Sequence, residues 1–349
     1  MKRVCSILTI GLLLFARAPA RADDLLLDRF TSYLESLRIQ AGIPGLSAAV
    51  VGGSDVLWSR GFGRADVERG IPARSDTLFH LDGVTQVFTA SLVLRCVEEG
   101  RLSLEDRIGA ILPGIRDGNA TVRQLLTHTA DGGVFSYQPE RLEPLTAVIT
   151  ECSGDAFRQK LAKGFDYLAM FDSVPGPDVV QLNPEPGGIF EKRTLDRYSR
   201  VLGRLAVPYA VDQRNRSTPS QYLATTLRAA AGSIATVDDL TRFVAGLNSG
   251  LVMRPETLAL AWRPAVDARG VRLPHGLGWF VQSYNGETIA WQFGVGDNAS
   301  SSLLVTVPGR GVTMILLANS DGLARSFPLA AGDLTVSPFA RLFLGLFVR

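Results

Sequence analysis

The stretch FHLDGVTQVFTASLVLRCVEEGRLSLEDRI, from Phe79 to Ile108, is the most informative segment of this 349-residue chain. Its apolar residues recur every three to four positions, a spacing that keeps one face of a helix against a core; they are Val84, Val87, Phe88, Leu92, Leu94, Val97 and Leu102. Glycine commonly follows the last turn of a helix. The segment therefore predicts a buried helix that ends at Gly100.

The composition is that of an ordinary globular protein, with 46% hydrophobic and 20% charged residues. A chain of this length buries a large core and forms either one large domain or two closely packed ones. These values exclude disordered and collagen-like classes.

The first 22 residues have the pattern of a secretory signal peptide. Lys2 and Arg3 precede an apolar run over residues 4–15, and the tripeptide at 20–22 is a small-x-small cleavage site. The run is too short to span a bilayer, which takes about 20 apolar residues. We predict a signal peptide over residues 1–22, export to the periplasm or the exterior, and a mature chain, 23–349, without a transmembrane segment.

Cleavage changes the formal charge from +2 to −2, because the leader has no acid and carries Lys2, Arg3, Arg17 and Arg21. A nucleic-acid partner then lacks an electrostatic basis. His80, His128 and His275 have no carboxylate or cysteine nearby at ligand spacing, whereas a metal site needs three or four convergent ligands. We therefore expect no metal and no other cofactor.

Two cysteines remain in the predicted mature chain, Cys96 and Cys152. Two thiols in an oxidising compartment are able to pair. Cys96, however, lies on the apolar helix, where a free thiol behaves as a small hydrophobic residue. We expect two separate thiols, with a disulfide as the alternative.

Strand-like runs occur towards both ends of the chain. Helical periodicity over residues 27–39 precedes the runs LSAAVVGG and DVLWSRGFGRAD, which are typical of two strands joined at a glycine turn. Near the other end, GLGWFVQSY, ETIAWQF, SSLLVTV and VTMILLANS have the character of strands, and PFARLFLGLFV that of a helix. The middle of the chain is mostly helical in pattern.

This order predicts an α/β (α+β) fold. An antiparallel β-sheet is built from both termini and flanked by the terminal helices, and a mostly helical region is inserted between its strands. We place the α/β part at about 23–82 and 272–349, and the helical part at about 83–271.

The residues also support a family resemblance. The segments FHLDGVTQVFTASLVLRCVEEGRLSLEDRIGAILPG, ATVRQLLTHTADG, AAAGSIATVDDLTRFVAGLNSG and SSSLLVTVPGRGVTMILLANSDG resemble the serine β-lactamase and penicillin-binding protein superfamily. The similarity is to its branch of class C β-lactamases, esterases and peptidases. It implies a β-lactamase/transpeptidase-like fold and an active site at the start of the helix near Val84.

The family's first motif is altered here. Members carry Ser-x-x-Lys at this helix, where the serine hydroxyl attacks a carbonyl and the lysine helps to remove its proton. The resemblance places Gly83 at the nucleophile position and Gln86 at the lysine position. Glycine has no atom for attack, and an amide is neither a base nor a cation.

The second and third motifs are altered as well. The family's Tyr-x-Asn corresponds to Lys192 and Thr194 in one register, and to Tyr198-Ser199-Arg200 in the other. The family's Lys/His-Thr/Ser-Gly corresponds to Gln292-Phe293-Gly294, so the glycine is kept while the cation and the hydroxyl are lost.

Other polar residues near the motif have ordinary interpretations. Asp82 stands where a carboxylate caps the helix N-terminus, and capping is the interpretation that we favour. Thr85 lies about 200° round the helix from position 83 and points away from the pocket. We expect a structural role for His128. The following serines lack a His or Lys nearby in sequence: Ser54, Ser136, Ser300, Ser301 and Ser302.

Loss of three motifs favours an exported, catalytically inactive homologue that keeps a pocket for a peptide, a cell-wall fragment or a partner. The residues expected to line this pocket are Asp82, Gly83, Gln86, Tyr198, Gln292, Phe293 and Gly294. The alternative is an active enzyme of the β-lactamase, esterase or D-peptidase class with a non-standard nucleophile.

Overall fold

The computed structural model describes residues 20–115, 118–182, 188–267 and 269–348, with the backbone alone for residues 20–24. Its helices are α1 (Ala20–Gln40), α2 (Thr85–Glu98), α3 (Ile108–Ile111), α4 (Val122–Leu126), α5 (Pro144–Ser153), α6 (Phe157–Tyr167), α7 (Lys192–Leu202), α8 (Val237–Asn248), α9 (Pro255–Ala261) and α10 (Pro338–Phe347). Its strands are β1 (Gly45–Gly52), β2 (Asp55–Asp66), β3 (Ile71–Pro72), β4 (Phe79–His80), β5 (Tyr209–Val211), β6 (Ser217–Pro219), β7 (Ile234–Ala235), β8 (Phe280–Tyr284), β9 (Glu287–Gly296), β10 (Ser300–Val307) and β11 (Val312–Ala318).

The central element is an antiparallel sheet made from both ends of the chain. Among the described residues, this sheet has seven strands in the order β3-β2-β1-β11-β10-β9-β8, and the β1–β11 pair joins the early strands to the late ones. The predicted fold is therefore confirmed.

Both faces of the sheet are covered, which explains why its central strands are almost continuously apolar. Along β1, Ala48 and Val50 face one core, while Ala49 and Val51 face the other. The first of these cores is closed by α1 and α10, which contribute Phe30, Leu34, Phe343 and Leu344. The terminal helices therefore flank the sheet, as predicted from the spacing of their apolar residues.

The second core holds the inserted helices against the sheet. Helix α2 is its centre, with ten buried positions including Val87, Phe88 and Leu94. Gly100, at φ 69°, follows the helix, as the sequence predicted. The 3-10 turn Asp82–Val84, which leads into this helix, lies against β9 and β10.

The expectation of two free thiols is wrong, because Cys96 and Cys152 form a disulfide with their Cα atoms 6.2 Å apart. The reason is that α5 packs against α2 and brings the two cysteines together across 56 residues of sequence. Cys96 is buried on the apolar face of α2, as predicted, but its sulfur is bonded there to Cys152.

The predicted signal peptide lies almost entirely outside the described residues. Within the part of the chain that the structure describes, no helix is both long and apolar enough to cross a bilayer.

Candidate functional site

A short 3-10 turn directly precedes α2, the helix at which the first motif is altered. Strand β4 pairs with β7, and a 3-10 turn over Asp82–Val84 then leads directly into α2. Asp82 has φ 45°, in the left-handed region that non-glycine residues rarely adopt. The main chain at this point is therefore fixed by its surroundings rather than by local preference.

Gly83 lies against the backbone of β9. A Cβ atom built on Gly83 would be 2.3 Å from the carbonyl oxygen of Phe293 and 3.3 Å from the Cα atom of Gly294. A Cβ atom on Gly294 would in turn lie 2.6 Å from the amide nitrogen of Gly83. The two glycines allow helix and strand to touch, so backbone atoms occupy the space that a side chain at position 83 would need.

Gln86 is completely buried and held by two side chains from the segment after α4. Its Nε2 donates to the hydroxyl of Tyr137 at 2.7 Å, and its Oε1 is 3.2 Å from Nε2 of His128. The amide of Gln138 donates to Nδ1 of His128, which assigns the proton of this ring to Nε2. Both polar atoms of the amide at the family's lysine position thus have hydrogen-bond partners within the protein.

Burial keeps the groups around Gln86 neutral. It lowers the pKa of His128 to about 4 and raises the pKa of Tyr137 well above its usual range. The pKa of His275 also lies well below its ordinary value, because this ring is completely buried and faces His128 at 4.8 Å. At neutral pH none of these three groups carries a charge.

Aromatic rings fill the remaining space beside Gln86. Tyr137 packs on Phe280 at 5.0 Å and on Phe293 at 5.5 Å between ring centroids, and His275 packs on Phe280 at 4.8 Å. Phe293 is 7% exposed. Rings in these tilted and edge-on arrangements stabilise a packed interior.

The side chain of Gln292 forms hydrogen bonds with main-chain groups. Its Oε1 accepts from the amide of Phe293 at 3.0 Å, and its Nε2 donates to the carbonyl of Gly278 at 3.4 Å. The side chain has no exposed surface. This residue therefore links the middle of β9 to the Gly278 carbonyl, and both of its side-chain polar atoms are already bonded within the protein.

The predicted cap at Asp82 is wrong. Leu81 is the residue before the 3-10 turn, and no side chain caps this turn. The Asp82 carboxylate instead accepts from the hydroxyl of Ser300 on β10 at 2.7 Å. Burial raises the pKa of Asp82 to about 6, the Ser300 hydrogen bond opposes this shift, and the charge of Asp297 adds to it.

The second motif's residues do not join this cluster. Lys192 and Thr194 occupy the first turn of α7, where Lys192 is exposed. Among the described residues, no hydrogen bond or ion pair joins either side chain to Asp82, Gly83 or Gln86. Within the described part of the chain, neither side chain is therefore bonded to the residues of the first motif.

Tyr198 does not line a pocket with Gly83. It is completely buried in a separate apolar cluster with Val174, Val179 and Leu195, and the Arg197 guanidinium covers its ring at 5.0 Å. In the register that aligns Tyr198 with the family tyrosine, this position is occupied by a core residue.

The binding residues expected from sequence are therefore brought together only in part. Gly83, Gln86, Phe293 and Gly294 are neighbours, and Asp82 and Gln292 border them. The side chains of Asp82, Gln86, Gln292 and Phe293 are buried, whereas Gly83 is half-buried. Sequence reasoning missed the roles of Tyr137 and His275 at this site. It set Ser300 aside because no His or Lys is near it in sequence, whereas its partner Asp82 is 218 residues away.

The described residues contain no group of three or more His, Cys, Asp and Glu side chains that could hold a metal ion. Chemically, the cluster at the start of α2 offers hydrogen bonds between neutral groups and one buried carboxylate.

The fold and the altered site together define a relative of the serine β-lactamases and penicillin-binding proteins. A model of the family described as Beta-lactamase matches residues 28–163 and 190–334. The chain belongs to this family.

Curated relatives match over shorter segments. Esterase EstB of Burkholderia gladioli is 41% identical over 98 residues, which are 26% of this chain and 25% of the esterase. Protein flp of Staphylococcus aureus (strain MW2) is 27% identical over 141 residues, which are 37% of this chain and 28% of that protein. The matched segments thus span about a quarter of the length of these relatives.

Solved structures share the fold over most of the chain. The octameric penicillin-binding protein homologue from Pyrococcus abyssi superposes with a TM-score of 0.73 at 19% identity, covering 91% of this chain and 77% of that one. The penicillin-binding protein from Bacillus halodurans superposes with a TM-score of 0.67 at 17% identity, covering 83% and 95% respectively. At such identities the likeness concerns the fold alone.

Proposed function

We propose that this chain is an exported, non-catalytic member of the β-lactamase family, in which a packed interior has replaced the acyl-transfer centre. The observation that carries the proposal is the contact of Gly83 with β9. A carbonyl oxygen 2.3 Å from the Cβ position leaves no room for a nucleophilic side chain at position 83.

The groups around this contact support the same conclusion. Acyl transfer needs a nucleophile and a base that act together, and loss of either costs about as much as loss of both. Gln86 is an amide whose two polar atoms bond to Tyr137 and His128, and His128 is a neutral ring already engaged at both nitrogens. A function of such a protein rests on binding, at a surface other than the closed site.

Export rests on the sequence of the leader and is supported by the Cys96–Cys152 disulfide. Disulfides persist mainly in oxidising compartments such as the periplasm and the exterior. The mature chain then starts at Asp23. Intact mass of the protein from the exported fraction tests the cleavage site.

One observation favours the alternative of an active hydrolase. The Ser300 hydroxyl donates to the Asp82 carboxylate, and a serine beside a buried carboxylate is a possible nucleophile–base pair. The esterase relative is consistent with hydrolase chemistry. Against it, Ser300 is 1% and Asp82 4% exposed, so a substrate has no access to the pair.

Hydrolysis assays separate the two functions. The purified chain is incubated with a chromogenic cephalosporin and with p-nitrophenyl acetate, alongside Ser300→Ala and the matched variant Ser302→Ala, whose serine is equally buried and bonds to the Leu81 carbonyl. The proposal predicts that all three proteins match the rate of buffer alone. Turnover that is lost in Ser300→Ala but kept in Ser302→Ala would establish the alternative.

A further inference from the structure

A cavity of about 320 Å³ lies on the helical part, between α2, α6 and the segment that follows α8. One wall is apolar and is formed by Leu92, Leu168, Leu251 and Val252. Leu251 is 51% exposed, which is unusual for a leucine beside a formed cavity. The volume is at the lower end of the range for small-molecule sites.

The rim of this cavity is basic. Arg95, Arg101, Lys160 and Lys163 line it, and the acid among the lining residues is Glu99. Oppositely charged ligands are attracted to a concave surface lined by one sign of charge. The combination of an apolar wall with a cationic rim fits a ligand that has an apolar part and an anionic group.

The basic residues differ in how far they are already neutralised. Lys163 pairs with Asp155 at 2.6 Å, and Arg101 donates to Glu99 and to the Cys152 carbonyl. Arg95 lies 3.7 Å from the Glu98 carboxylate and 3.8 Å from that of Glu99. Lys160 is half-buried, and among the described residues its ammonium has neither a hydrogen-bond nor an ion-pair partner. Lys160 is therefore the cation available to an anionic group.

A glycine in the middle of α6 keeps the cavity open. Gly164 lines it, and a Cβ atom built there meets nothing within 4 Å. Glycine is the least favourable helix residue after proline, and neither close packing nor a positive φ requires it here. The substitution of any larger residue would add a side chain to the cavity.

We propose that this cavity binds the carboxylate of a single medium-length acyl chain, with the chain on the leucine wall and the carboxylate on Lys160. The ligand is an amphipathic anion of the free fatty acid class. The proposal is independent of whether the chain has catalytic activity.

Calorimetric titration of the purified full chain with sodium decanoate, below its micellar concentration, tests the proposal. We expect one saturable site, and at least tenfold weaker binding of decanol, which has the same chain without the charge. Gly164→Leu should abolish binding, whereas Gly345→Leu, at another helical glycine with open space around it, should not change it. Lys160→Gln should weaken binding about fivefold, the effect of one partly exposed ion pair, and Arg29→Gln should leave it unchanged.

Thermal unfolding of each variant establishes that it is folded. Absence of saturable decanoate binding would overturn the proposal, as would equal binding by wild type and Gly164→Leu. Cosedimentation with vesicles of anionic phospholipid but no binding of decanoate would also overturn it, in favour of a membrane-surface site.

Discussion

Substitution of Gly83 by serine restores the residue type of the family nucleophile and should destabilise the protein instead of activating it. The new Cβ atom would stand 2.3 Å from the Phe293 carbonyl oxygen, so the two must separate by about 1 Å to reach ordinary contact. Gly83 has no positive φ, and the whole effect is therefore steric.

The size of the effect follows from what has to move. Overpacking of an interior costs about 1–3 kcal/mol, and here both partners are main chain, one at the start of α2 and one in β9. We expect a loss at the upper end, about 3 kcal/mol. For a chain of this size, that corresponds to about 4 °C in the midpoint of thermal unfolding.

Thermal and urea unfolding of Gly83→Ser and Gly83→Ala measure this loss. Both variants should lose about the same stability, because both add a Cβ atom. Gly345→Ser is the control, since Gly345 has open space around its Cβ position in α10. Wild-type stability of Gly83→Ser, together with acylation of the new serine by a fluorophosphonate, would refute the claim that this space is filled.

Three further predictions concern the same part of the chain. Tyr137→Phe removes the acceptor of Gln86 Nε2 and should cost about 1–3 kcal/mol in urea unfolding, and no loss would mean that this hydrogen bond is dispensable. The pKa of Asp82 is raised from 3.8 to about 6, so between these pH values the folded chain holds more protons than the unfolded one and the contribution of Asp82 to stability falls as pH rises. The stability of Asp82→Asn relative to wild type should therefore increase by up to about 3 kcal/mol from pH 4 to 6 and then stay constant; a flat difference contradicts the pKa shift. Replacement of both Cys96 and Cys152 by serine should cost about 4 kcal/mol, the loop-closure entropy of a crosslink across 56 residues, and an unchanged urea midpoint contradicts this.

Periodicity and family resemblance were sufficient to predict the sheet from both termini and the terminal helices. Each of these elements is long or has a regular spacing of apolar residues, as in VTMILLANS and PFARLFLGLFV. The local sequence is therefore sufficient to predict whether the element is a strand or a helix. The positions of Gly83 and Gln86 at the start of α2 followed from the resemblance in the same way.

What the sequence did not disclose depends on contacts between distant segments. The Asp82–Ser300 hydrogen bond spans 218 residues, and the Gln86–Tyr137 bond spans 51. The approach of β9 to Gly83 is a backbone contact, which no pattern of side chains predicts. Loss of the family's serine and lysine was visible in sequence, but the filling of their space was not.

The loss of the acyl-transfer centre is tested most directly by treating the purified wild-type chain with a fluorophosphonate and with a labelled penicillin, followed by intact mass measurement. We predict that the mass stays unchanged with both reagents, because Gly83 has no nucleophilic side chain and the nearby Ser300 is only 1% exposed. A stoichiometric adduct on Ser300, or on any other residue of this cluster, would contradict the account.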